Sequence, residues 1–293
     1  MVRDMGWKQF KPKQNSKRVF VVKQGIQFED VAFSYGKKTL FNDFSLRIST
    51  GEFVAIVGAN GSGKTTLLQL LSGMLTPIAG KITIDGIDVQ VDDDMVVARR
   101  LLSVVLQNPE NQFVGATVEE DIAFGLENKR KSKAEMDAII ARVSKQMKLQ
   151  PFLKKAPHEL SGGQKQRVAL ASSLAMETKY LLLDEATSQL DPAGKREVLL
   201  AVADLAKRKD KTVIMITHDL SEILHAQRVI VLQQGEIVAD MTPQKLFSEY
   251  QAELSTYNLV LPRVVAYSTA FQAAGLLTDD AYSIEELVDK LCK

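Results

Sequence analysis

The chain has 293 residues, 45% of them hydrophobic, which is enough to bury one full core and a smaller appendage. With 37 basic against 36 acidic residues its formal net charge is +1, so bulk charge gives no reason to expect a nucleic-acid partner. Cys292 is the sole cysteine, which excludes an internal disulfide framework or cysteine zinc site, and no stretch approaches the roughly 18 consecutive apolar residues of a membrane span.

In chain order, Arg3, Lys8, Lys11, Lys13, Lys17 and Arg18 come first, facing only Asp4. This segment lacks the uninterrupted apolar region of a secretory signal and reads as a basic flexible arm over residues 1–20, a solvated tail or an attraction for an anionic surface. "IQFEDVAFSY" and "LFNDFSLRIS" alternate apolar and polar residues and are expected as strands with one exposed face. The fully apolar "FVAIV" runs into the glycine loop "GANGSGKTT" and the helix "KTTLLQLLSG"; "GKITIDG" is expected as an edge strand and "LLSVVLQ" as a further strand. A helical insertion is expected over about residues 115–175, because "TVEEDIAFGLEN" and "AEMDAIIARVSKQMKL" carry helical spacing and few strand formers. After it come the strand "YLLLDE", a helix from about Pro192 to Lys207, the strand "TVIMITH" and the pair "RVIVLQQGEIVAD". Short buried strands alternating with helices argue for an α/β fold with a mostly parallel sheet covered on both faces. Residues 246–293 read as a helical extension in which Ile284, Leu287, Val288 and Leu291 form one apolar stripe, available either to cap its own domain or to bury against another subunit.

The chemistry begins at Gly58. Gly58, Gly61, Gly63, Lys64 and Thr65 fit the phosphate-loop pattern at every fixed position, between a buried strand and a helix. Glycines let successive backbone N–H groups turn inward around a phosphate, Lys64 can reach the β- and γ-phosphates, and the Thr65 hydroxyl can coordinate Mg²⁺. "YLLLDEAT" then brings two carboxylates to a strand end. Adjacent strand residues point to opposite sides, so Asp184 can support the Mg²⁺ sphere while Glu185 addresses the attacking water, as general base or as water-orienting group. His218 closes "TVIMITH", where its ring could bond both the γ-phosphate and Glu185. Gln107 ends "LLSVVLQ", and its amide can give an oxygen to Mg²⁺ and donate toward water. His158 is expected only to cap locally or lie on the surface. "LSGGQ", residues 160–164, is a glycine hinge opening into a helix and would receive a phosphate of its own, although the phosphate loop lies about a hundred residues upstream.

In this order, the phosphate loop, Gln107, "LSGGQ", Asp184 with Glu185, Asp191 in "SQLDP" and His218 resemble an ATP-binding cassette ATPase over roughly residues 26–240. The resemblance implies a P-loop NTPase core with an antiparallel β subdomain, a helical subdomain and a small C-terminal helical extension, the cassette occupying residues 21–245. It implies ATP hydrolysis with ATP and Mg²⁺ bound, Thr65, Gln107 and Asp184 serving the metal, and Glu185, His218 and Gln107 the chemistry. Nucleotide contacts are implied for Tyr35, which matches the family's adenine-stacking aromatic but by composition could equally be a packed strand tyrosine, and for Gly58, Asn60, Gly61, Ser62, Gly63, Lys64, Thr65 and Thr66. Cassettes of this family pair head to tail. Ser161, Gly162, Gly163, Gln164 and Asp191 are therefore expected at the ATP held by the other subunit's phosphate loop, and a second cassette must come from another chain.

Only 95 residues separate Thr66 from Ser161, too few for the long coiled coil of a chromosome-maintenance or double-strand-break ATPase, and the chain carries one cassette where translation factors of the class carry two. "LQNPENQFVGATVEEDIAFGLEN" is closely similar to the ATPases of energy-coupling factor transporters, the vitamin and metal-ion importers of prokaryotes. The resemblance places Asn108, Pro109, Asn111, Gln112 and Phe113 in a groove for coupling helices of a transmembrane partner. A substrate-binding membrane protein is the further expected partner, no nucleic acid is expected, and the chain is expected on the cytoplasmic side of the cell membrane as a peripheral subunit. Ala186 and Gln189 stand where such ATPases often have proline and glycine, which hints at a pair of unlike cassettes. The alternative class is a soluble, non-transport cassette ATPase acting on DNA or ribosomes.

Overall fold

The computed structural model describes residues 25–257 and 259–292; the basic arm expected over residues 1–20 lies outside them. The strands form two sheets. Ile26–Tyr35 (β1) and Lys38–Ile48 (β2) pair antiparallel across a two-residue turn, and Ala79–Ile84 (β4) and Ile87–Asp88 (β5) complete a four-stranded antiparallel sheet of order β2-β1-β4-β5. "GKITIDG" is thus not the edge strand expected: Gly86 turns the chain back so that the two-residue β5 covers β4.

The second sheet contains Phe53–Val57 (β3), Leu102–Val105 (β6), Tyr180–Asp184 (β7), Thr212–Ile216 (β8), Arg228–Gln233 (β9) and Glu236–Met241 (β10). Its order is β10-β9-β3-β8-β7-β6, parallel throughout except for the β9–β10 hairpin. The parallel strands are apolar without alternation because they are covered on both faces, whereas the edge strand β10 is largely open. Phe53, Ala55, Val57, Leu181, Leu183, Val213 and Met215 enter one core; Val54, Ile56, Leu182, Ile214 and Ile216 enter the other. The second core is closed by the antiparallel sheet, by Leu67, Leu68, Leu70 and Leu71 of Lys64–Leu71 (α1), and by Met95 and Ala98 of Asp92–Leu101 (α2).

The first core is closed by Val118–Asn128 (α3), Lys133–Gln146 (α4), Gly162–Ala175 (α5) and Pro192–Ala206 (α6). Three of these starts are written in the sequence as capping boxes: Thr117 with Glu120, Ser132 with Glu135, and Ser161 with Gln164. Pro243–Glu249 (α7) buries Leu246 and Phe247 in this same core, joined by Leu254, Leu259 and Val265. Arg263–Ala273 (α8) and Ile284–Leu291 (α9) enclose a small separate cluster of Leu277, Ala281 and Leu287. Of the apolar stripe on α9 only Leu287 is buried; Ile284, Val288 and Leu291 are exposed.

Candidate nucleotide site

Because β3, β8, β7 and β6 run parallel side by side, their C-terminal ends deliver Gly58, His218, Asp184 with Glu185, and Gln107 to one edge of the sheet. Ligands of open α/β sheets bind at this edge. The loop after β3 turns tightly under Leu232: at Gly58, φ is +151° and a Cβ would lie 2.1 Å from the Leu232 carbonyl oxygen, so only glycine fits. The loop ends at Gly63, which starts α1, a helix with no acid in its first turn and no side-chain cap to occupy its N-terminus. Ser62 is buried in this turn with its hydroxyl lacking a partner among the described residues.

Lys64 folds back over the loop, donating to the carbonyls of Gly58 at 2.8 Å and Ala59 at 2.9 Å. Burial pulls its ammonium below the usual value, against the opposing pull of Glu185 and Asp184. Thr65 donates its hydroxyl to Asp184 Oδ1 at 3.3 Å, and burial pushes the Asp184 carboxyl up more than this bond lowers it. One hydroxyl and one buried carboxylate, side by side and open to a cleft, suit Mg²⁺, which keeps waters and substrate phosphates rather than an all-protein cage. Among the described residues no three His, Cys, Asp or Glu side chains gather as such a cage.

Glu185 steps out of β7 with a left-handed φ of +46°, held by its N–H on the Ile216 carbonyl at 3.0 Å. One carboxylate oxygen accepts from Gln107 Nε2 at 2.9 Å and the other faces His218 Nδ1 at 3.3 Å. The two acids thus have separate partners, Thr65 for Asp184 and Gln107 with His218 for Glu185. Asn60, Gly61, Gly63, Lys64, Thr65, Thr66, Gln107 and Glu185 line a cleft of about 490 Å³. Tyr35 closes its lip, half exposed, edge-on to Phe33 and bonded through its hydroxyl to Thr66 Oγ1 at 3.2 Å. Lys38, opposite Tyr35 across the β1–β2 turn, and Leu40 also line the cleft. Sequence reasoning missed both, since only the hairpin register brings them there.

The signature residues lie outside this cleft, although Gly162 lines a neighbouring pocket with Gln107. Ser161, Gly163 and Gln164 line a second cleft with Arg167, Gln189, Leu190 and Asp191, and no residue is common to the two clefts. Ser161 N-caps α5, accepting from Gln164 N–H at 3.3 Å, while Gln164 Oε1 accepts from Ser161 N–H at 3.0 Å. Asp191 N-caps α6 by accepting from Gly194 N–H at 3.2 Å and lies 3.8 Å from Arg167. Gln164 and Asp191 therefore also cap helices, Gln164 as part of the capping box of α5 and Asp191 as the N-cap of α6. Gly162 is covered by Gln189, whose Oε1 lies 2.7 Å from where a Cβ would stand. His158 sits in a short 3₁₀ turn, residues 157–159.

A family model described as ABC transporter matches residues 41–188, from the middle of β2 through the phosphate loop and signature to the loop after Glu185. The chain belongs to the ABC transporter ATPase family. Among curated relatives, this cassette is 42% identical over 270 residues to "Energy-coupling factor transporter ATP-binding protein EcfA1" of Mycoplasma capricolum, covering 92% of this chain and 66% of the relative. The EcfA1 protein of Oceanobacillus iheyensis is 42% identical over 91% of this chain and 96% of its own. Among solved structures, "cbiO1 from clostridium perfringens: Part of the ABC transporter complex cbiONQ" superposes with a TM-score of 0.70 at 32% identity, covering 83% of this chain and 97% of that one.

Beside the cassette's nucleotide cleft, Gln112 belongs to the fold: its side chain accepts from Leu106 N–H at 2.9 Å and donates to the Val104 carbonyl at 2.7 Å, finishing the open edge of β6. Asn108 caps the short turn over residues 109–111, and Phe113 packs partly buried against the main core. Next to them, Val114 and Phe124 are exposed at a groove between β6, α3 and α5. Among the described residues no helix is long and apolar enough to cross a membrane.

Proposed function

We propose that this chain is the ATP-hydrolysing subunit of an energy-coupling factor importer. The observation that carries the reading is the separation of two complementary half-sites on one cassette: a phosphate cleft holding Lys64, Thr65 and Glu185, and a signature cleft sharing none of its residues. Neither half is complete alone, so ATP is held between the phosphate loop of one cassette and the Ser161–Gly163 segment of another. The α1 N-terminus and Lys64 hold the phosphates, and Tyr35 stacks on the base. Thr65, Asp184 and Gln107 would hold Mg²⁺, which when bound would screen the phosphate charge that builds during transfer. Glu185 orients and deprotonates the attacking water, and His218 fixes Glu185 and reaches the γ-phosphate.

Similarity to EcfA1 proteins along nearly the whole chain supports the importer class over a DNA- or ribosome-acting cassette. On this reading the companions are a second, unlike cassette, a transmembrane coupling subunit docked at the groove beside Val114 and Phe124, and a substrate-binding membrane protein, with this chain peripheral on the cytoplasmic face. The test is to solubilise source membranes gently, isolate the native chain and identify its stoichiometric companions by mass spectrometry. One related ATPase and two integral membrane proteins are expected. Recovery solely as a soluble homodimer, or with ribosomes or DNA, overturns the importer reading.

A further inference from the structure

Glu185 and His218 stand on two different loops, joined by the Glu185 N–H on the Ile216 carbonyl and by the contact of the two side chains. The Glu185 backbone turns left-handed at the end of β7, and the His218 side chain is 60% exposed. A polar cluster behind them adds a second connection through side chains. Thr187, two residues past Glu185, donates its hydroxyl to Glu222 Oε1. The Glu222 carboxylate is 3% exposed and accepts also from Lys195 Nζ at 2.6 Å. Lys195 Nζ in turn pairs with Asp219, the residue immediately after His218. Asp219 is tied into its own loop, accepting from Ser221 N–H at 2.8 Å, with its own N–H on Thr217 Oγ1 at 3.0 Å. One ammonium, from α6 just past the Glu185 loop, therefore bridges two carboxylates of the His218 loop, and Thr187 ties the Glu185 loop to one of them.

We propose that Lys195 and Glu222 are positioning residues for hydrolysis, a buried brace that locks the Glu185 loop to the His218 loop and holds the two side chains face to face. The inference rests on Glu185 and His218 acting as proposed above. Electrostatics support it: burial would lower the Lys195 ammonium, but its hydrogen bonds to Asp219 and Glu222 outweigh burial and hold it above the usual value. Burial likewise opposes the Asp219 charge, and the bonds from Lys195 and Ser221 override it. Lys195 and Asp219 thus stay charged at neutral pH, and a carboxylate as buried as Glu222 needs its cation. The brace has a further consequence. Lys195 sits in the first turns of α6, its N–H on the Asp191 carbonyl at 2.8 Å, and the segment just before it, Gln189 to Asp191, lines the signature cleft. When a second cassette's nucleotide enters that cleft and shifts this segment, Lys195 carries the shift to both reacting loops at once.

The experiment measures steady-state ATP hydrolysis and nucleotide binding by the assembled complex carrying Lys195→Met, Lys195→Arg, Thr187→Val or Glu185→Gln. For Lys195→Met, kcat is expected to fall at least about tenfold while KM and ATP affinity stay near wild type, the pattern of an interaction made only in the transition state. Lys195→Arg restores most of the loss because it keeps the charge and two donors, and Thr187→Val, which deletes one hydroxyl, gives a smaller fall in kcat alone. Should Lys195→Met fail to fold, the Arg and Val variants carry the test. Wild-type kcat in a folded Lys195→Met complex overturns the brace, as does a loss of ATP affinity parallel to kcat that arginine does not rescue. Wild-type turnover by Glu185→Gln instead overturns the Glu185 assignment beneath it, so the two failures are distinguishable.

Discussion

Replacing Glu185 by glutamine changes one oxygen to nitrogen and leaves the surrounding geometry in place. The remaining amide oxygen can still accept from Gln107 Nε2, now 2.9 Å from Glu185 Oε2, and the backbone bond to Ile216 is untouched. What disappears is the basicity of the group that faces the water, and the charge opposite His218 Nδ1 at 3.3 Å. General-base catalysis by one positioned side chain contributes roughly 10²- to 10⁴-fold, or about 3–5 kcal/mol of barrier. Glu185→Gln is therefore expected to lower turnover of the assembled complex by that range. Nucleotide affinity should be kept or tightened, because the variant removes a carboxylate from a cleft that must receive a triphosphate. The assay pairs phosphate release at saturating ATP with a binding isotherm for a slowly hydrolysed ATP analogue. Turnover within about threefold of wild type would refute the reasoning, since a loss that small is below what a positioned base supplies.

Lys64→Ala should act on binding instead: removing a charge-assisted contact to the phosphates costs about 1.5–3 kcal/mol, roughly a ten- to hundredfold rise in Kd, and an unchanged isotherm would count against its role. Ser161→Arg fills the second cleft, which shares no residue with the first, so the isolated chain should keep its ATP affinity while the assembled pair loses ATP-driven closure, read by size-exclusion chromatography. Equal loss in the isolated chain would defeat the head-to-tail arrangement. Asp85 clasps the two sheets, bonding Lys179 at 2.6 Å, Tyr180 at 2.7 Å and the Gly25 N–H at 2.9 Å, and these bonds outweigh burial to hold its carboxyl below the usual range. A depressed carboxyl stabilises above its unfolded pKa and loses that contribution as pH falls through the depressed value. Asp85→Asn should cost about 1.5–3 kcal/mol at pH 7, with the gap to wild type closing below about pH 4 in urea titrations; a gap constant with pH would contradict the ion pair.

The sequence made the strands of the parallel sheet readable because burial on both faces leaves continuous apolar runs, and made the phosphate loop readable because glycine is required at fixed positions. The helix starts at Thr117, Ser132 and Ser161 were legible for a similar local reason, the capping box. Long-range pairing was not. β4 reads as an edge strand until the Gly86 turn adds β5, and the β1–β2 register alone brings Lys38 beside the cleft. Gln112 lines the groove beside Val114 and Phe124, and its side chain also completes the backbone hydrogen bonds of β6, a duty that spacing does not show. The stripe on α9 reads as a helical face and forms one, but spacing does not say that Leu287 alone is covered. Lys195, Asp219 and Glu222 carry no motif at all; they meet only because the loop after β8 folds back against α6.

The central claim, that this cassette spends ATP to drive uptake through membrane partners, is tested most directly in vesicles. The native membrane assembly is reconstituted with its cassettes facing outward, ATP is added outside, and transfer across the bilayer is followed for the radiolabelled small molecule that co-purifies with the substrate-binding subunit. ATP-dependent transfer is expected with the wild-type chain and none above the ATP-free background with Glu185→Gln. Transfer of equal rate in both assemblies, or ATP hydrolysis by the wild type with no transfer of any retained compound, would contradict it.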